Sequence, residues 1–163
     1  MKKTKFLYIF PIVSVVLLFT RCPIEGDQAI LTIKNQSSLE ITNITIWRGT
    51  EALEEAKLKM AEAELNAIAY PSLENLYELL VATNRYNEEV EKTCSRVPEI
   101  TDDTGLPINA IKSWELKSGS IIVQAACGGK LSSLYIVNFG GDHAVRFIGQ
   151  KISNPDGNKD DWQ

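Results

Sequence analysis

The chain has 163 residues, with 17 Lys and Arg against 21 Asp and Glu, one His and three Cys. At about 100–200 residues per domain this length suits a single domain, and an apolar content of 44% supports a packed core, which excludes wholesale disorder. A net charge of -4 excludes the basic face that a nucleic-acid binder needs, and one His with three Cys is a poor ligand set for zinc.

In chain order, Lys2, Lys3 and Lys5 precede an apolar run over 6–19 broken only by Pro11 and Ser14. A basic start followed by an apolar stretch is the pattern of a secretory signal peptide, and the run is shorter than the roughly 20 apolar residues a spanning helix needs. It ends in Leu18-Phe19-Thr20-Arg21-Cys22, which resembles a relaxed bacterial lipobox with Arg21 where a small residue is usual. The resemblance implies residues 1–21 as signal peptide and Cys22 as the lipidated first residue of the mature chain. Residues 22–28 then read as a lipid-anchored tether. Cleavage there would leave 13 basic and 21 acidic residues, a net charge of -8, so attachment to an anionic membrane would rest on acyl chains.

Residues 29–34 and 39–47 are rich in Ile and Thr and predict two strands, joined as a hairpin through Asn35-Gln36-Ser37-Ser38. The apolar positions switch parity between Ile41 and Ile44, which predicts a bulge at Thr42-Asn43. The period then changes to that of helices. Leu53, Ala56, Met60, Ala63 and Ala67 make one stripe, and Leu76, Leu80, Thr83, Asn87, Val90 and Cys94 another, with Tyr86 able to stand in for Asn87. Thr50 and Ser72 are placed to cap the two helices, and Pro71 separates them, so residues 51–96 predict an antiparallel helical hairpin. Its two stripes are expected to bury each other and part of the sheet. Residues 97–107 read as a loop. Strand grammar returns over 111–116, 120–127, 131–139 and 143–148, with glycine-containing turns between them, and the last three predict an antiparallel meander. Both faces of 131–139 are apolar, which places that strand centrally. The expected fold is α+β, a small antiparallel β-sandwich or sheet interrupted by the hairpin, forming one domain over 29–152, with a flexible acidic tail over 153–163.

Cofactor or metal chemistry finds little footing in this pattern. His143 follows Asp142 in a turn, Ser132 and Ser133 sit in another, and no Gly-x-Ser-x-Gly elbow joins them. A solvent-facing turn histidine is expected. The 154–161 segment is acidic and turn-rich, yet a calcium loop with Gly157 at its sixth position would begin at Ile152, which has no ligand oxygen. Asp102-Asp103 reads as a loop pair. The glycine pairs lack the Lys and helix of a phosphate loop. With Cys22 lipidated in an oxidising compartment, Cys94 and Cys127 are left as an even pair, and a disulfide between them is the expectation.

Leu31-Thr-Ile-Lys-Asn35-Gln-Ser-Ser38, continued by Ile41-Thr-Asn-Ile44-Thr-Ile-Trp47, resembles the opening of small spirochaete-type bacterial lipoproteins, and Trp114-Glu-Leu-Lys-Ser-Gly119 is similar to a later turn of theirs. The resemblance implies a cell-envelope β-module of unassigned role and carries over no catalytic residue; the helical hairpin departs from it. The functional expectation is a non-enzymatic envelope lipoprotein, at the outer membrane or periplasmic face. It is expected to be a macromolecule-binding or structural module held to the membrane by lipid on Cys22, with a protein as the candidate partner at an unknown site, and without nucleic acid or a cofactor. The alternatives are an accessory subunit of an envelope machine docking through the hairpin, and a small envelope hydrolase.

Overall fold

The computed structural model describes residues 28–149 and 151–153. In chain order its elements are β1 (Gln28–Asn35), β2 (Ile41–Arg48), α1 (Glu51–Ala69), α2 (Leu73–Cys94), β3 (Ile100–Asp102), β4 (Ile111–Lys117), β5 (Gly119–Cys127), β6 (Lys130–Leu131), β7 (Tyr135–Phe139), β8 (His143–Ile148) and β9 (Lys151–Ser153). The fold is α+β: two sheets face each other and an antiparallel helical hairpin interrupts the second. One sheet runs β4-β1-β8-β9 and the other β3-β2-β5, with β6 and β7 pairing successive parts of the free edge of β5.

Alternation builds the core. Along β1, Ala29, Leu31, Ile33 and Asn35 are buried while their neighbours are exposed or half-buried, as expected when only one face of a strand meets the interior. They meet Ile44 and Ile46 of β2, Ile121, Val123 and Ala125 of β5, and Val145 and Phe147 of β8 between the sheets. The predicted bulge is present: the β2–β5 register shifts between Ile41 and Asn43, and Ile41 and Ile44 both enter the core.

Pairing differs from expectation at three points. β1 and β2 are not a hairpin, since the chain crosses from one sheet to the other between them. The crossing is tied by Asn35, which is fully buried. Its Nδ2 donates to the carbonyls of Leu39 and Leu106, both at 2.9 Å, and its Oδ1 accepts from the Ser37 amide at 3.0 Å and the Ser37 hydroxyl at 2.7 Å. A turn that reads as a tight reversal is therefore a sandwich corner. The meander is likewise interrupted. β5 and β7 pair antiparallel as expected, but the Gly140-Gly141 turn carries the chain to the other sheet, where β8 lies parallel to β1. Finally, the 131–139 run is split into β6 and β7 on an edge, and β5 takes a central place between β2 and that edge. Its Ile121, Ile122 and Val123 are all buried, on alternate faces.

The two sheets are also clamped by charge. Lys112 Nζ of β4 lies 2.6 Å from Asp102 Oδ2 of β3, and Trp114 Nε1 donates to the same oxygen at 3.2 Å. Burial works to raise the Asp102 pKa, but hydrogen bonds from Lys112 and Thr104 outweigh it and hold the carboxyl at about 2. The residue expected to be half of a loop pair is thus a cross-sheet anchor.

Candidate functional site

The helices begin where the sequence puts them. Thr50 accepts the Leu53 amide through its hydroxyl at 3.1 Å and Ser72 accepts that of Asn75 at 3.1 Å, each satisfying an amide that the first turn leaves open. Lys59 pairs with Glu55 at 2.5 Å and Lys92 with Glu89 at 2.7 Å. The hairpin meets the sheet only at its base. There Leu53 and Val90 pack with Trp47 and Ile122 from the outer face of β2 and β5, joined by Tyr86, Cys94 and Ile136.

Among the described residues, the helices beyond that base have each other and no further layer. On α1 the expected stripe is buried at Leu53, Ala56, Ala63 and Ala67 and half-buried at Met60. On α2 the half-buried positions outside the base are Asn75, Leu79, Ala82, Thr83 and Tyr86, one stripe at spacings of 3 and 4 turned toward α1. The stripe expected on α2 lies to one side of it. Its last members, Val90 and Cys94, do pack on the sheet, but its first, Leu76 and Leu80, overhang the sheet and stand 52% and 57% exposed. Leu73 is 88% exposed beside them, and Ile68 on α1 is 73% exposed. The expectation that the two stripes bury each other and the sheet holds for the base and fails for the tip.

The tip therefore carries an apolar surface. Leu58, Leu65, Ile68, Tyr70, Leu73, Leu76, Tyr77, Leu80 and Val81 are all half or more exposed, and from Leu65 to Asn84 the sequence holds only two charges, Glu74 and Glu78. This exceeds the singly scattered surface leucines normal for a folded chain. α1 also has apolar residues at spacings of 3 and 4, Leu58, Ala61, Leu65 and Ile68, turned away from the set that faces α2.

The other expected sites are not assembled. Cys22 and the 154–161 segment lie outside the described residues. Cys94 and Cys127 are free thiols, contrary to the expected disulfide, because the sheet stands between them. Cys94 packs with Trp47 and Ile122 under the hairpin, whereas Cys127 packs against the inter-sheet core with its Sγ 3.8 Å from the Ser37 hydroxyl. Burial raises the Cys94 pKa, which disfavours the reactive thiolate. His143 is not a solvent turn residue. It opens β8 half-buried, with Nε2 at 2.9 Å from the Tyr135 hydroxyl of β7 and the two rings stacked. Burial lowers the His143 pKa and raises that of Tyr135, so both groups are held neutral, an arrangement suited to bridging the sheet edges. Ser132 is buried and spends its hydroxyl on the Ala125 amide and the Ser133 carbonyl.

Two of the clefts among the described residues lie near these groups. One of about 210 Å³ lies at the hairpin base among Trp47, Arg48, Thr93, Arg96 and Glu99. Arg48 spans it, making two 2.9 Å bonds to Glu99 and a 2.6 Å bond to the Lys117 carbonyl. The other, of about 320 Å³, lies between Ser37, Leu39, Cys127 and Lys130. Among the described residues, no group of His, Cys, Asp and Glu is placed to hold a metal ion, and no helix is long and apolar enough to cross a membrane.

No protein-family model matches the chain, and no curated protein does. Among solved structures it is similar to the pilus backbone protein RrgB of Streptococcus pneumoniae, at 8% identity over 76% of this chain and 41% of that one, with a TM-score of 0.31. The chain thus spans less than half of that protein, and a likeness so slight carries no functional argument.

Proposed function

We propose that the chain is a non-enzymatic cell-envelope lipoprotein, related to the small spirochaete-type lipoproteins and anchored through Cys22, whose β-sandwich presents the helical hairpin as a docking element for protein. The observation that carries this reading is the apolar tip of the hairpin, which stands clear of a sandwich core to which residues 51–96 contribute no member. A small protein that leaves so much aliphatic surface uncovered is poised for association.

The point at which β1 begins supports the reading. Gln28 pairs with Lys117, whose carbonyl accepts from Arg48 Nη1 at 2.6 Å, and Thr50 caps α1 two residues later. The tether thus enters at the end of the sandwich from which the hairpin springs. Six residues extend at most about 20 Å at 3.3–3.6 Å each, so a lipidated Cys22 holds the hairpin base close to the membrane surface.

The test is made on the full chain in cells. An alkyne fatty acid should label the wild-type protein and not Cys22→Ser, and the variant should leave the membrane fraction. A photo-crosslinking residue at Leu76 or Leu80 should yield protein adducts that the same residue at Glu78 does not. A wild-type N-terminus found unlipidated at a later residue would end the lipoprotein reading, and equal or absent adducts at the two faces would end the docking reading.

A further inference from the structure

We propose that the partner docks as a β-strand: an extended segment of another protein adds to the outer edge of β7, with every second side chain apolar and turned up against the overhanging hairpin. This rests on the reading of the hairpin as a docking element and names the form its partner takes.

The hairpin crosses the strands rather than following them. Its two ends, at Thr50 and Thr93, border one cleft with Trp47 and Glu99, over β2 and the approach to β3. Trp47, Ile122 and Ile136 stand in register as one row on the outer face of the sheet, from β2 through β5 to β7. Leu53, Val90 and Tyr86, one to two turns in from the hairpin ends, close over that row, and Ile122 at its middle is fully buried. Two strand spacings of about 4.8 Å each match the roughly 10 Å that α2 rises between Thr93 and Tyr86 at 1.5 Å per residue. Tyr86 therefore lies near β7, and the helix from there to Leu76 runs about 15 Å further, past the sheet by the width of at least one more strand. The side turned down over that space is apolar. Leu76 precedes Cys94 by 18 residues, five whole turns, and so stands on the side that Cys94 lays on the sheet. Leu80 flanks it, and Ile68 of α1 falls beside them, all three more than half exposed.

Beneath this ceiling the sheet ends in an unguarded strand. Among the described residues β7 pairs with β5 and with no other strand. An edge strand offers a row of backbone N–H and C=O groups to any chain able to pair with it, and native edges are blunted by charge or proline. β3 ends in Asp102, β4 carries Lys112, Glu115 and Lys117, β6 begins with Lys130 and β9 with Lys151. β7 is Tyr-Ile-Val-Asn-Phe, without charge or proline.

One occupant satisfies both features. A strand laid along β7 pairs its edge, and every second side chain rises toward Leu80, Leu76 and Ile68. Those side chains are apolar, because Glu74 and Glu78, the two charges of the tip, lie on another side of α2 and offer them no partner. The last residues of the chain do not make such a segment: 154–163 reads Asn-Pro-Asp-Gly-Asn-Lys-Asp-Asp-Trp-Gln, with no two apolar side chains at alternate positions.

The experiment follows amide hydrogen exchange of the purified full chain with a synthetic seven-residue peptide that alternates valine and threonine. The control peptide is methylated on every amide nitrogen, which keeps the side chains and prevents pairing. The unmethylated peptide should slow the outward amides of 135–139 at least tenfold. Its affinity should fall at least tenfold on methylation or with Leu80→Glu, and stay within twofold with Leu58→Glu, on the far side of α1. An equal effect of both peptides, or none from either, would overturn strand addition; protein adducts from Leu76 and Leu80 in cells would then still mark the hairpin as a docking element. Amides of 135–139 that are already slow in the chain alone, and quicken on deletion of 154–163 or on dilution, would assign the edge to the chain's own tail or to a second copy and overturn the proposal as well.

Discussion

Replacing Asn35 by Ala tests whether one buried amide fixes the crossing between the sheets. The substitution removes four hydrogen bonds: two donated to the Leu39 and Leu106 carbonyls and two accepted from Ser37. The losses are unequal. The Leu106 carbonyl keeps the Ile41 amide at 3.1 Å, and the Leu39 carbonyl keeps the Ser37 hydroxyl at 2.6 Å. The Ser37 amide loses the partner that Asn35 gave it in a buried setting. A net hydrogen bond is worth about 0.5–1.5 kcal/mol and a stranded buried donor costs about 1–3 kcal/mol, which sums to roughly 3 kcal/mol. For a domain of this size that is a fall in melting temperature of about 10 °C. Urea unfolding followed by the fluorescence of Trp47 and Trp114 reads it directly. Asn35→Asp should be no better, because it sets a carboxylate oxygen against two carbonyls. A loss below about 1 kcal/mol for Asn35→Ala, with an unchanged denaturant slope, would refute the view that this residue holds the corner.

The remaining predictions concern charge, space and thiols. Asp102 titrates at about 2 in the folded chain against 3.8 ordinarily. Its pKa is lowered on folding, so its contribution is present above about pH 4 and lost as the pH falls toward 2. Because Lys112 is about one-third exposed, the full shift is discounted for solvent screening to about 1 kcal/mol, and the difference in urea midpoint between wild type and Asp102→Asn should shrink steadily from pH 5 to pH 2. Gly49→Ala would set a methyl 2.5 Å from the Ser120 Cβ, where β2 hands over to α1, and should cost about 1–3 kcal/mol through overpacking, read as a lowered thermal midpoint. Cys94 and Cys127 should each take up a maleimide when the purified protein is unfolded without reductant, read on their own peptides by mass spectrometry; unlabelled peptides joined to each other would mean that the sheet does not separate them.

The helices were legible because their signals are local. A 3 and 4 spacing, a hydroxyl at Thr50 and Ser72, and a proline between them depend on neighbours within a turn or two. The bulge was legible for the same reason, as a parity change within six residues. Pairing was not, because Asn35-Gln-Ser-Ser reads alike whether the chain turns back on itself or crosses to a second sheet. What decides is the reach of the Asn35 amide to Leu106, a contact across 71 positions of sequence. The same holds for β7 and β8, since nothing in Gly140-Gly141 shows that the next strand lies against β1. Apolar residues on both faces of 131–139 suggested a central strand, yet Tyr135 and Val137 only border the core and Ile136 lies under the hairpin base. The apolar face of α2 was legible in part. The stripe through Leu76, Leu80, Val90 and Cys94 was visible, but whether a sheet lies under all of it depends on how far the hairpin overhangs.

That overhang bears on why the insertion has the form it does. Trp47 and Ile122 turn outward from β2 and β5 and would be exposed without helices above them, so the sandwich needs a cover of about two turns. The hairpin supplies it with Leu53, Tyr86 and Val90 and then continues to Pro71, well past the point where the sheet has been served. The extra length stabilises nothing in the sandwich. Helical segments of this length draw most of their stability from packing of an apolar face, and on the distal half the face turned to the partner helix holds Ala63 and Ala67 against Leu79, while Leu65, Ile68, Leu76 and Leu80 remain in water. Larger aliphatic side chains are thus kept outside the hairpin than between its helices. A structural cover would have the reverse distribution, with leucines in the helix–helix contact and lysine or glutamate outside.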